Sequence, residues 1–218
     1  MIQFIDIPTE RTTAATDLIL SIQTGLYAVM LVLNPALYNF RGILWVGFFA
    51  GVFLTAVFGT IAHGFKMSKK TNTILWQILT LCFSVCYILL FSSLSFDLFG
   101  LVAGQWSLII SSVLGAILVA FCLKFPAFIP KIIYIGVGLG IAILGAGAWL
   151  AFVVRVPGTA FLFAGMVLAS VATFVEARQK FHLKLVWEFD HHTAYHFFQF
   201  LSNMCSYASV LTYFGIKA

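Results

Sequence analysis

Charge is what this chain has least of. Its 218 residues include twelve Lys and Arg and seven Asp and Glu, so 9% are charged while 62% are hydrophobic. A soluble domain of this length carries about a quarter charged residues, and here the shortfall runs along the whole sequence, which excludes a soluble domain with one apolar tail. The expectation is a single membrane domain, 1–218. Cysteine is also sparse. Cys82, Cys86, Cys122 and Cys205 sit in apolar runs without CxxC spacing, which reads as small buried hydrophobes and not as a redox or thiolate-metal motif. The N-terminal "MIQFIDIPTERTTAATD" has acids but no basic region ahead of an apolar stretch, so no cleavable signal peptide is expected. No basic aromatic patch is present, and nucleic acid is not an expected partner. The net charge of +5 comes from residues between apolar runs, where it concerns the bilayer surface.

What the chain has in quantity is apolar sequence, with a mean hydropathy of +1.06 and runs long enough to cross about 30 Å of hydrocarbon. Seven spans are predicted, at 14–33, 43–62, 74–92, 99–123, 132–154, 159–176 and 191–214, separated by breaks that contain Pro, Gly or charge. The fold class is therefore an all-α, seven-transmembrane helix bundle. With the N-terminus inside, nine basic residues (Arg11, Lys66, Lys69, Lys70, Lys124, Lys131, Arg178, Lys180, Lys184) fall on the inner side and three (Arg41, Arg155, Lys217) on the outer. That bias predicts N-in, C-out, and a bacterial inner membrane is the expected location. The fifth span is rich in small residues at Gly136, Gly138, Gly140, Gly145 and Gly147, a surface that favours close helix packing over a phosphate cradle.

Ionisable groups within spans are costly and mark functional sites. Three of five histidines and two acids gather in "EFDHHTAYHFFQF", 188–200. The predicted topology brings His63, at the end of span two, to the same inner face as this cluster and as Glu10 and Asp17 of span one. His192 and His196, four apart on a helix, share one face and can bind one metal. His63 would complete a His₃ zinc site with an open fourth position. Glu10, Thr13 and Asp17 form one stripe. Asp17 is the candidate base or ligand-orienting acid, with Glu10 and Thr60 as further catalytic candidates. Arg11 is expected to pair with either N-terminal acid, Glu10 or Asp17, Asp190 to cap the last helix, and Glu188 to be solvated. His182 and His191 are read as surface or packing residues. Gln199 and Asn203 continue the stripe of His192 and His196 as polar lining.

Seven spans, a histidine in "GTIAHG" and the pair in "HTAYH" resemble the CREST-type superfamily of alkaline ceramidases, progestin and adiponectin receptors and haemolysin III-like proteins. The resemblance covers the topology of the whole chain and a handful of residues. It implies zinc on His63, His192 and His196 and a lipid amide or related membrane lipid as substrate or ligand. Where members of that superfamily place a serine one turn before the span-two histidine, this chain has Gly59. It also lacks their aspartate near the start of span three, so Asp17 or Glu10 would have to supply the acid, or catalysis would be altered or absent. A non-catalytic zinc receptor on the same fold, and a transporter using the polar stripe, are the alternative expectations.

Overall fold

The computed structural model describes residues 3–125, 132–185 and 187–216. Lys131 and Lys217, and the surroundings of Cys122, Gly136 and Gly138, lie outside the described residues. Among the described residues, seven helices follow in chain order. They are α1 (Pro8–Val32), α2 (Phe40–Gly64), α3 (Lys69–Phe99), α4 (Leu101–Lys124), α5 (Ile132–Trp149), α6 (Thr159–Arg178) and α7 (His191–Phe214). A π-helical stretch, Leu150–Val154, prolongs α5. A short 3₁₀ turn, Pro35–Leu37, joins α1 to α2, and the α6–α7 connection folds into an antiparallel hairpin of β1 (His182–Lys184) and β2 (Glu188–Asp190). The fold is all-α. Among the described residues, five helices (α1 to α4 and α6) are long and apolar enough to cross a membrane.

Helix ends follow from local chemistry. Asn39 accepts from Gly42 N at the start of α2, Ser68 from Thr71 N at α3, and Asp190 from Thr193 N at α7. Each side chain satisfies a backbone donor that the first helical turn leaves free. The Asp190 cap is as expected, and α7 occupies the predicted 191–214. An Asp190→Ala variant should lose about 1 kcal/mol of stability in detergent unfolding, with Asp190→Asn close to wild type.

Span three is the largest revision. The polar run after Ser92 was expected to be a loop, yet α3 continues to Phe99 and stops at Gly100, whose φ of 87° lies in the region that favours glycine. The reason is Asp97. Its carboxylate takes Arg41 Nε and Nη2 at 2.7 and 2.8 Å, both side chains are 1% exposed, and the guanidinium stacks on Tyr213 at 3.4 Å. A bidentate pair satisfies charges that would otherwise have to reach water, so the helix can carry its aspartate inward. Arg41, expected among outer loop residues, is instead one of the most deeply buried side chains.

Sequential helices pack as neighbours except α4 and α5, α5 instead touching α3 and α6, and α1 closes the bundle against α7. The α1 and α7 levels are matched by Thr13 with Thr193, Thr16 with His196, and the stacked rings of Tyr27 and Tyr207, 4.0 Å apart. These two helices therefore run parallel. Trp45, Phe49, Leu31, Leu94, Leu150 and Leu162 form the apolar centre. Outside it the usual order is reversed. Ile19, Ile22, Leu26 and Val29 of α1 face outward, while Thr12, Thr13, Ser21, Gln23 and Thr24 of the same helix are buried. A surface this apolar suits lipid rather than water. The expected close packing of α5 holds at Gly147, where an added Cβ would meet Met166 Sδ at 2.6 Å, but not at Gly140 or Gly145, which have nothing within 4 Å.

Candidate functional site

The first residues of the chain pin one end of the bundle. Ile5 N donates to Gly64 O, Lys66 N to Gln3 O, and the rings of Phe4 and Phe65 lie 5.1 Å apart. Lys66 also pairs with Asp6, and its ammonium holds the Asp6 carboxyl below its ordinary range. Arg11 donates to Ile5 O and reaches Asp6 at 3.5 Å. The expected pairing of Arg11 with Glu10 or Asp17 is corrected by this geometry, because the extended segment before Pro8 brings Asp6 back over the first turn. Glu188, expected to be solvated, pairs across the hairpin with the exposed Lys184 at 2.6 Å, and the ammonium holds its carboxyl below the usual range.

Against this pinned end, α2 and α7 bring their histidines together. The His63 and His192 ring centroids are 5.0 Å apart, and those of His192 and His196 are 4.8 Å apart. Each ring has its own polar partner. His63 Nδ1 meets Glu10 Oε2 at 2.6 Å, and His192 Nδ1 meets Glu176 Oε1 at 3.0 Å. A carboxylate only accepts, so in both rings Nδ1 carries a proton, and in the neutral imidazole Nε2 keeps its lone pair. Glu176, in the last turn of α6, was not among the expected site residues.

His196 is buried and held from both sides. Its Nδ1 is 2.9 Å from Thr16 Oγ1, and its Nε2 is 3.3 Å from Asp17 Oδ1. The Thr16 hydroxyl donates to Thr13 O at 2.9 Å. A hydroxyl has one proton to give: spent on Thr13 O it leaves Thr16 to accept from His196 Nδ1, and turned to Nδ1 it leaves Nε2–H to donate to the Asp17 carboxylate. Either way one proton is shared between His196 and Asp17, and the 3.3 Å contact is slightly longer than an N–H···O bond of about 2.7–3.2 Å. Asp17 Oδ2 has no hydrogen-bond partner in the protein.

Asp17 explains Gly59. A Cβ at position 59 would stand 2.6 Å from Asp17 Oδ2, so the carboxylate fills the space that a serine side chain would need. Thr60 is placed differently from Thr16, since its hydroxyl donates to Ala56 O within α2. Thr16 is the hydroxyl that reaches an imidazole, and its signal was available as the residue 180 positions before His196 on a helix parallel to α7.

As the side chains stand, no three described His, Cys, Asp or Glu residues converge on a common point that would hold a metal. Zinc suits the donor types, and the two ring pairs His63 with His192 and His192 with His196 are spaced as imidazoles about one ion would be, with centres about 5 Å apart. Beside the cluster, a groove of 420 Å³ is lined by Ile5, Ala62, Phe65, Lys66, Met67, Lys69 and Asn72. It combines apolar walls with two lysines next to the residue that precedes His63.

Comparison with known proteins gives one family. The model of DUF6962, a family of unknown function, matches residues 12–213. No curated protein and no solved structure matches the chain.

Proposed function

The chain belongs to the DUF6962 family of unknown function, and from its own geometry we propose a zinc-dependent membrane hydrolase of lipid amides or related lipids. The observation that carries this reading is the meeting of the His63, His192 and His196 rings, each about 5 Å from the next, beside the buried Asp17 carboxylate. Three imidazoles beside a buried acid are the donor types of a catalytic zinc site. The spans then cross the bilayer N-in, C-out, following the bias in basic residues, with the site near the inner face. A bacterial inner membrane suits that placement.

His63, His192 and His196 would hold the ion, which supplies a Lewis acid for the scissile carbonyl and a coordinated water acidic near neutrality. Glu10 and Glu176 orient two of the imidazoles through Nδ1. Asp17 takes the proton of the attacking water and delivers it to the leaving nitrogen, so that amide and water become acid and amine. The groove would admit an acyl chain along Ile5, Phe65 and Met67 while Lys66 and Lys69 meet the headgroup.

The test is elemental analysis of detergent-purified protein joined to hydrolysis of a fluorescent lipid amide. Wild type is expected to hold about one zinc per chain, lost in His63→Ala and His196→Ala. Asp17→Asn should keep zinc while its turnover drops by about 10²–10⁴-fold. Wild type that stays metal-free after incubation with zinc removes the proposal. Zinc bound without turnover of any lipid amide or ester assigns the site to a receptor.

A further inference from the structure

The groove beside the histidines carries a charge imbalance that amide hydrolysis alone does not require. Its 420 Å³ are bounded by the apolar side chains of Ile5, Phe65 and Met67 and by two lysines, Lys66 and Lys69. The wall that holds Ile5 is fixed in place, because Ile5 N donates to Gly64 O and Lys66 N to Gln3 O on either side of Phe65. Around this α2–α3 connection stand Arg11, Lys66, Lys69 and Lys70. Asp6 is the acid that meets them, and it is shared between Lys66 and Arg11. Glu10, the next acid along the chain, is taken by His63. Among the described residues, no carboxylate lies within ion-pairing distance of Lys69 or Lys70. The first turn of α3, which these two lysines open, also holds no acid.

An apolar trough with surplus cations along one side matches an amphiphile with an anionic head, and basic pockets at the inner ends of spans bind lipid phosphates. The depth agrees with the position of the histidines. Asn72, in the same lining, lies one turn before Trp76, whose ring meets that of His63 edge-on at 5.5 Å. One turn is about 5.4 Å, close to the separation of a phosphate ester from an amide a few bonds away on the same lipid.

We infer that the groove binds the phosphate of a membrane lipid, with Lys66 and Lys69 on the phosphate and the acyl chain along Ile5, Phe65 and Met67. The substrate class is then the phosphate-bearing lipid amides. The fate of the amide rests on the hydrolase reading, whereas binding of the phosphate needs only the groove. Asp6 is a built-in competitor: it holds Lys66 until a phosphate takes its place.

Calorimetric titration of the full chain in dodecyl maltoside, with chelator present throughout, tests this. The probes are dodecyl phosphate, dodecanol and inorganic phosphate. Dodecyl phosphate is expected to bind saturably and about tenfold tighter than dodecanol, and tighter than inorganic phosphate. Lys66→Gln and Lys69→Gln should each weaken it by about tenfold, Asp6→Asn should strengthen it, and Lys180→Gln, in the α6–α7 connection, should leave it unchanged. Both lysines are exposed, so their variants should fold. Dodecyl phosphate no tighter than dodecanol, or at wild-type affinity in both groove variants, overturns the inference. An equal loss in Lys180→Gln also overturns it, as a general effect of positive charge, and inorganic phosphate binding as tightly removes the lipid. Because zinc is chelated, the two readings fail separately. Binding of dodecyl phosphate by a chain that never holds zinc leaves the phosphate site without the hydrolase, and turnover of neutral amides without that binding leaves the hydrolase alone.

Discussion

Arg41→Met protein should lose about 3–5 kcal/mol of stability, the usual penalty for stranding one member of a buried ion pair. Arg41 and Asp97 are each 1% exposed and joined by two hydrogen bonds, so without the guanidinium the carboxylate has no partner and no route to water. The stacking of Arg41 on Tyr213 goes with it. The double variant Arg41→Met, Asp97→Leu should recover most of the loss, because apolar groups of similar volume can replace a buried pair at little cost. Thermal unfolding in detergent reads both. If the single variant melts with wild type, Arg41 does not anchor α2 to α3 and α7.

Glu176→Gln should weaken zinc binding by about 10–100-fold, as loss of a carboxylate behind a metal-binding imidazole does. The amide still accepts from His192 Nδ1, so the ring keeps its place while the negative charge that raises its basicity is gone. Glu10→Gln should act alike through His63, whose contact is the shorter at 2.6 Å against 3.0 Å. Competition with a fluorescent chelator measures the affinity. Unchanged binding in both variants would sink the orienting role of these acids, whereas a loss confined to Glu176 would place His63 outside the metal's ligands.

Much of this arrangement was legible from periodicity. The start and end of α7, its Asp190 cap and the stripe of Glu10, Thr13 and Asp17 follow from helical spacing, and the structure sets Glu10 on His63 and Asp17 on His196. Arg41, Asp97 and Glu176 were misread for one reason. Hydropathy treats a charge as a sign of solvent, so each was assigned to a span end or loop, and the partner that makes burial tolerable lies on another helix. Two opposite charges at neighbouring breaks on the same predicted side were the available hint. The two-stranded hairpin of β1 and β2 was hidden similarly, since Lys184 and Glu188 read as solvated charge until the turn pairs them.

The parallel contact of α1 with α7 has a consequence for biogenesis. Asp17 and His63 are synthesised early, but His192 and His196 follow about 130 positions later, on the order of ten seconds at ordinary ribosomal rates. During that interval Thr13, Thr16 and Gln23, whose partners Thr193, His196 and Phe200 lie on α7, present a polar face that α7 has not yet covered. The partly made chain must keep that face away from lipid, in the insertion machinery or against a provisional neighbour, until α7 docks. Assembly of the site and closure of the bundle are thus a single late event, and a ribosome that stalls before α7 would leave a product marked for quality control by its own uncovered first helix.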